Sequence, residues 1–271
     1  RNQWLAGKYI VNARSMEWFV ERGSIVRRIW GKSDTVLFIF AGAAAEFALN
    51  KAVDWLYFTG RLPSDPLGRL FSTVRYAGRI VFSPKEAAQQ TIHTMRLIHE
   101  GVEKSRGAVI PDWAYRDVLF MLIYYSIAAF ELLERRLTDA EKEEVYNVFY
   151  RVGTGMGLKD LPETYAAWVP VRQSHMEQDL VYSHYTGDLF VQYRKHLGAA
   201  RFTVLLEAQK LVVPERVGDL LKYKKWSWLR PSVPMYKLSR VLHLDGFVKR
   251  LLLPHAYMQQ IRELDMRPDQ L

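Results

Sequence analysis

The sequence predicts an all-α protein. Signals that start and stop helices divide most of the 271 residues into successive helical stretches. Apolar residues recur in these stretches at the spacing of one helix face, and no alternating strand pattern of useful length is found. No internal repeat is present, so a solenoid is not expected. A chain of this length can bury one large core.

The predicted helices follow one another along the whole chain. They extend over about 15–30, 34–58, 69–82, 84–102, 111–136, 138–152, 161–179, 186–197, 199–211, 214–224 and 234–265. Trp18, Phe19 and Ile25 are the expected apolar anchors of the first helix. Glycine and proline mark a loop at Gly60–Pro66. The glycines of Gly153–Gly157 follow a helix and no strand, so we interpret them as a helix end and not as a phosphate-binding loop.

Three helix starts carry recognisable capping residues. Asp34 is predicted to be the N-cap of the second helix. Ser83 is followed by proline and then by Glu86, which predicts an N-cap and a capping box. Thr138 and Glu141 form the same pattern further along the chain. These capping residues predict where the three helices begin.

Two apolar runs predict buried helices. Val36–Ala45 is interrupted by Glu46 and Lys51, and Val118–Leu133 contains Glu131. Both runs are shorter than the roughly 20 apolar residues that a membrane-spanning helix needs. No signal-peptide pattern is seen at the first residues, and we expect a cytoplasmic protein with peripheral membrane association.

Composition excludes several kinds of site. The chain has no cysteine, so disulfides, thiolate-ligated haem, cysteine zinc sites and iron–sulfur clusters are excluded. Its net charge of +9 favours anionic partners, either nucleic acid or an anionic membrane. The many aromatic residues, 15 Tyr, 13 Phe and 8 Trp, fill cores and also line apolar pockets.

The last third of the chain differs from the rest. Between Leu221 and Arg250 there are eight lysines and arginines against one acid, Asp245. Aromatic residues lie among these cations: Tyr223, Trp226, Trp228 and Tyr236. The region suits nucleic acid, an anionic membrane or a plain solvated basic face. We predict a helical domain over 1–200 and a basic, aromatic helical extension over 201–271 that packs on it.

His99 is the most informative residue for chemistry. It lies 26 residues after Thr73, which closes the segment that begins at Arg69. At helical spacing its face is shared with Ala88, Ile92, Met95 and Val102. A lone histidine in an apolar stripe is more often a core residue bonded to a carbonyl than a metal ligand. His93 lies about 120° away around the helix, so the two histidines cannot share one metal.

The sequence from about residue 30 to 162 resembles the oxygenase family of the latex clearing proteins, or rubber oxygenases, and the fungal MpaB-type enzymes. Four stretches carry the resemblance in order: Asp65–Thr73 (DPLGRLFST), Met95–Val102 (MRLIHEGV), Thr138–Tyr146 (TDAEKEEVY) and Val152–Pro162 (VGTGMGLKDLP). No single stretch identifies the family, but the order and spacing of the four stretches along the chain do indicate it. The last third resembles the family only loosely.

The resemblance implies a globin-like helical bundle that encloses a b-type haem. It makes His99 the proximal iron ligand and places Arg69 and Thr73 in the haem pocket, with Met95 on the same face as His99. A carboxylate before the arginine has a base-like role in rubber oxygenases, and Asp54 is the nearest acid, although it matches poorly. The rubber enzymes have a distal lysine where this chain has Ser72, so a lysine-closed iron is not expected.

Each of these residues also has a structural alternative. Arg69 suits an inter-helix salt bridge, and the hydroxyl of Thr73 suits a bond to its own helix. His175 and His184 lie near Glu177 and Asp179, which suits a second metal site, the distal wall of the pocket, or simply a polar helix end. His184 is the better cofactor candidate because fungal relatives carry a histidine in a similar context.

The expected activity is O₂-dependent oxidation of an apolar substrate, an isoprenoid or another alkene, by cleavage of a double bond. The expected partners are that substrate, O₂ and a membrane surface, without nucleic acid. One alternative is a haem-binding sensor or peroxidase-like protein. Another is a haem-free helical module that binds a membrane surface. The sequence contains no dinucleotide-binding, P-loop or nucleophile-elbow motif.

Overall fold

The computed structural model describes residues 17–60 and 64–241. These residues form eleven helices and no sheet, which confirms the all-α prediction. In chain order the helices are α1 Ile25–Trp30, α2 Ser33–Leu49, α3 Val53–Phe58, α4 Pro66–Val81, α5 Lys85–Arg106, α6 Asp112–Leu133, α7 Asp139–Gly155, α8 Tyr165–Asp179, α9 His184–Val212, α10 Glu215–Leu220 and α11 Ser232–Val241.

Helices α2 and α6 form the centre of the bundle. Both are apolar on most of their faces, and most of their residues are buried. Gly42 of α2 lies against the ring of Tyr125 on α6, where a Cβ atom would clash with the ring carbons. Ala45 and Ala48 are fully buried on α2. These small residues let the backbones approach closely, and α9 packs on the same helix.

The second predicted helix is in fact two helices. Residue Asn50 has an extended backbone, and the chain resumes helical geometry only at Val53. The break is held from outside, because Asn50 pairs with Leu180 in an isolated bridge and donates to Asp117 at 2.6 Å. The predicted N-cap was also wrong, since Lys32 precedes the first helical residue and Asp34 lies inside the first turn.

Capping predictions succeeded where the signal was complete. Thr138 and Glu141 form the predicted capping box, with backbone-to-side-chain distances of 2.9 and 3.2 Å. The prediction at Ser83 was wrong, because the N-cap is Pro84 and no side chain caps α5. The backbone of Pro84, directly before the first helical residue, instead forms an isolated bridge with Trp18.

The first predicted helix starts later than expected. Trp18 lies in that bridge instead of a helix, and Gly23 adopts a left-handed backbone conformation with φ 83°. The helix then begins at Ile25 after a cap by Ser24. Phe19 and Ile25 are buried, as predicted, whereas Trp18 is half-buried.

The later helices largely follow the prediction. The break expected between 197 and 199 is confirmed as a kink at Gly198, with φ 76°. Of the last predicted helix, 234–265, only the part up to Val241 falls within the described residues. Within those residues, no helix combines the length and apolarity needed to cross a bilayer. The division into 1–200 and 201–271 stays a prediction.

Candidate functional site

His99 lies in the middle of α5, on the predicted apolar face. Ala88 and Ile92 of the same face are buried, whereas His93 is exposed. The Nδ1 atom of His99 lies 2.8 Å from the carbonyl oxygen of Met95, one turn earlier. A carbonyl only accepts hydrogen bonds, so Nδ1 carries the proton and Nε2 keeps its lone pair. No described residue forms a hydrogen bond with Nε2, which leaves that lone pair available to a ligand.

The surroundings keep the His99 ring neutral. Burial lowers the pKa of His99, the bond to Met95 and the charge of Glu103 oppose this, and the positive charge of Arg69 lowers it further. The net direction is downward from the ordinary value of 6.5. A neutral imidazole is the form that binds a metal ion.

One wall of the His99 site is built by Tyr115 of α6. Its ring meets the imidazole edge-on at a centroid distance of 5.2 Å. The Tyr115 hydroxyl donates to Glu103 at 3.2 Å, and the backbone N–H of Ile110 donates to the same oxygen at 2.9 Å. Glu103 therefore fixes the corner between α5 and α6, and with it the position of the aromatic wall.

Arg69 and Thr73 both lie on α4, which begins with a cap. Asp65 accepts from the N–H of Gly68 at 2.8 Å at the start of this helix. The Thr73 hydroxyl donates to the carbonyl of Arg69 at 3.2 Å, which is the structural alternative named for it above. Arg69 is close enough to His99 to lower its pKa. Arg69 and His99 therefore lie within electrostatic range of each other, on two helices that pack together.

Asp54 lies on α3 and is held by an ion pair. Its carboxylate accepts from Arg106 at 2.7 Å, and that guanidinium lies 4.0 Å from the centre of the Trp55 ring. Arg106 is seven residues after His99 on α5, so it lies on the same face, about 10 Å further along the axis. Asp54 is therefore directed toward the side of α5 that carries His99, but its negative charge is already paired with Arg106.

His184 lies apart from these residues. It is the first residue of α9, it is exposed, and its ring stacks on the adjacent Tyr185 at 3.9 Å. Tyr185 in turn contacts the ring of Tyr57 on α3 at 4.6 Å. Among the described residues, none of the contacts of His184 is with His99, so its predicted part in the cofactor site stays a prediction.

A family model described as ER-bound oxygenase mpaB/B'/rubber oxygenase, catalytic domain, matches residues 27–262. The chain belongs to this family. The match extends well beyond residue 162, so the last third of the chain is part of the family domain. Neither a curated protein nor a solved structure matches the chain. Membership supports an oxygenase that acts on an apolar substrate.

This member of the rubber-oxygenase family also has a polar cluster of one histidine and two aspartates, His175, Asp117 and Asp179, between α6 and α8. Nδ1 of His175 lies 2.5 Å from Asp117 and 3.5 Å from Asp179. The other oxygen of Asp117 accepts from Asn50 at 2.6 Å. The three side chains are close enough to surround a cation. However, both oxygens of the Asp117 carboxylate already have hydrogen-bond partners. The side chain that His175 contacts is Asp117, and not His184.

A buried ion pair beside this cluster was missed in the sequence. Arg172 donates to Glu46 at 2.5 Å, with side-chain exposures of 4% and 0%. The Tyr125 hydroxyl donates to the same oxygen at 2.9 Å. The signal that pointed to it was a lone acid after an apolar run, because a buried carboxylate requires a cation partner. Together with Tyr125, this ion pair joins α2, α6 and α8.

Proposed function

We propose that this protein is a b-type haem-dependent oxygenase that uses O₂ to oxidise an apolar alkene, with an isoprenoid as the preferred class, by cleavage of a double bond. The observation that carries the proposal is the state of His99. Its Nδ1 proton is engaged by its own helix, and its neutral ring keeps a lone pair on Nε2. Family membership supplies the oxygenase class.

The residues at this site fit a haem held by one histidine. His99 would hold the haem iron through Nε2, and the carbonyl of Met95 would fix the orientation of its ring. Arg69 is the cation that would pair with a haem propionate. Tyr115 supplies an aromatic wall beside the imidazole. When bound, the haem would supply the chemistry of O₂.

The protein's own contribution is binding, orientation and the exclusion of water. The hydrogen bond from Nδ1 to Met95 makes the imidazole a better electron donor. Thr73 is bonded to its own helix, so a role in the pocket requires its hydroxyl to turn. The base role predicted for Asp54 stays a prediction, and it requires the ion pair with Arg106 to open. Ser72 leaves the distal side without the lysine of rubber enzymes.

The experiment is oxygen uptake by the haem-loaded protein with squalene and with its saturated analogue squalane. Cleavage of a double bond by one O₂ yields two carbonyl groups, so one O₂ should be consumed for every two carbonyls formed. We expect oxygen uptake with squalene and none with squalane. Haem-bound protein that consumes O₂ with neither compound would contradict an isoprenoid-cleaving oxygenase and favour a sensor, and a requirement for hydrogen peroxide would favour a peroxidase-like protein.

We also propose that the enzyme associates peripherally with a membrane. Its apolar substrate dissolves in a lipid phase, so an enzyme bound to that surface meets more substrate than one in water.

A further inference from the structure

Residues 222–235, which connect α10 to α11 and include the first turn of α11, form a basic aromatic surface. They carry four cations and no acid. Those cations are Lys222, Lys224, Lys225 and Arg230, and all are exposed. Three large apolar side chains on the same segment are also in solvent: Trp226 is 61% exposed, Trp228 48% and Met235 73%. Large apolar side chains grouped in solvent usually mark an interaction site.

The basic aromatic surface is held in place by a buried carboxylate. Glu207 of α9 accepts from the N–H of Trp228 at 3.1 Å, and its carbonyl accepts from the Ser227 hydroxyl at 3.1 Å. Ser227 is buried, and its hydroxyl also accepts from the N–H of Leu229 at 3.2 Å. Because Ser227 is fixed on the inside, the two neighbouring tryptophans are presented on the outside.

A cavity of about 260 Å³ opens beside these tryptophans. Three cations line it, Lys210, Lys225 and Arg230, and none of the described lining residues carries a carboxylate. Apolar side chains, including Leu132 and Val233, form the rest of the lining. Lys210 is paired with Glu207 and Lys225 with the exposed Glu215. Arg230 has no carboxylate partner among the residues described, and a guanidinium binds phosphate oxygens in a bidentate manner.

We propose that the basic aromatic surface docks on an anionic phospholipid bilayer. A headgroup phosphate occupies the cavity at Arg230, and Trp226 and Trp228 lie at the level of the headgroups. Cations attract the anionic surface, and tryptophan favours the boundary between lipid and water. The inference rests on the proposed peripheral association and not on the haem.

Charge alone does not separate a membrane from nucleic acid, since both are anionic. The apolar parts of the surface do. Met235 and the cavity residues Leu132 and Val233 suit acyl chains and the glycerol region, whereas a nucleic acid would meet only stacked aromatic rings and phosphate contacts. The mixture of aliphatic and aromatic side chains therefore favours the bilayer.

The test is co-sedimentation of the full chain with vesicles. One set contains equal parts of phosphatidylcholine and phosphatidylserine, and the other contains phosphatidylcholine alone. The wild type should bind the anionic vesicles and leave the neutral ones. Each lost cation should weaken binding about fivefold, so Lys225→Gln with Arg230→Gln should weaken it roughly 25-fold. Trp226→Ser with Trp228→Ser should also release the protein, without changing the charge.

The matched controls are exposed residues on another part of α9. Arg194→Gln with Lys195→Gln removes the same charge, and Val191→Ser removes an apolar side chain as exposed as Trp226. Both controls should bind like the wild type. Equal weakening by the controls, equal binding to neutral vesicles, or binding to a DNA oligonucleotide in place of vesicles would overturn the inference. Free inorganic phosphate should not compete, which separates a lipid site from a phosphate site.

Absorption spectra of the same samples separate the two proposals. Vesicle binding without a haem band would leave this inference standing and remove the oxygenase proposal. A haem band without vesicle binding would do the reverse.

Discussion

His99 and His175 both engage Nδ1, but they do so in different ways. His175 bonds to Asp117 on another helix, and Asp117 also accepts from Asn50, so the cluster ties α2, α6 and α8 together. Among the residues that the structure describes, His99 bonds only to the carbonyl of Met95 in its own helix. A side chain whose polar contact is local adds little to tertiary structure. The comparison therefore favours a stabilising role for His175 and agrees with the proposed ligand role of His99.

The largest expected effect lies next to His175, in the buried pair of Glu46 and Arg172. Arg172→Ala should lower the free energy of unfolding by about 3–5 kcal/mol, because it leaves the Glu46 carboxylate buried without its cation. Chemical denaturation measures this. The double variant Glu46→Leu with Arg172→Met should lose much less, because no buried charge is left. A double variant as unstable as Arg172→Ala would contradict this explanation.

His175→Ala should cost about 1.5–3 kcal/mol of unfolding free energy, because it removes a hydrogen bond to a buried carboxylate. His184→Ala is the control, since His184 is exposed, and its effect should stay within about 0.5 kcal/mol. Denaturant unfolding of the apoprotein compares the two. Equal stability of both variants would show that the cluster does not hold the helices together.

Arg69→Ala tests the proposed haem site around His99. Losing the guanidinium should weaken haem binding about tenfold, or about 1.4 kcal/mol, because a propionate loses its charge partner. Titration of the apoprotein with haem gives the affinity. Arg75→Ala removes an exposed cation from the same helix and should leave the affinity unchanged. Unchanged affinity in Arg69→Ala would leave Arg69 with only a structural role.

The smallest effect is expected at Asp179, and it depends on pH. Burial and the nearby charge of Asp117 raise the pKa of Asp179 above its ordinary value of 3.8. A carboxyl that holds its proton more tightly in the folded state destabilises that state once it ionises, at pH values above the folded pKa. It also lies at a helix C-terminus, where negative charge is unfavourable.

Asp179→Asn should therefore stabilise the protein by about 0.5 kcal/mol at pH 7. The gain should vanish below the unfolded pKa, where both states of the wild type are protonated. Unfolding midpoints at neutral and acid pH measure it. A loss of stability at pH 7 would mean that the contact with His175 outweighs the repulsion from Asp117.

Local signals in the sequence predicted the parts of the fold that local forces decide. The capping box of Thr138 and Glu141 needs only four residues, and the kink at Gly198 needs one. The break at Asn50 was not predictable, because Asp117 and Leu180 hold it from distant parts of the chain. Distant partners similarly explain why Pro84 replaced Ser83 as N-cap.

The site divides in the same way. The helical stripe around His99 was readable from spacing, and so was the apolar setting of its ring. The pairing of Glu46 with Arg172 spans 126 positions, so no local pattern contains it. The ion pair between Asp54 and Arg106 spans 52 positions and was missed for the same reason.

The most direct test of the central claim is the absorption spectrum of haem-supplied protein in three forms: wild type, His99→Ala and His175→Ala. We expect a Soret band in the wild type that is lost or shifted in His99→Ala, while the apoprotein of that variant remains folded. His175→Ala should keep the band despite its lower stability. An unchanged band in His99→Ala, or no band in well-folded wild-type protein, would contradict the assignment of the iron to His99.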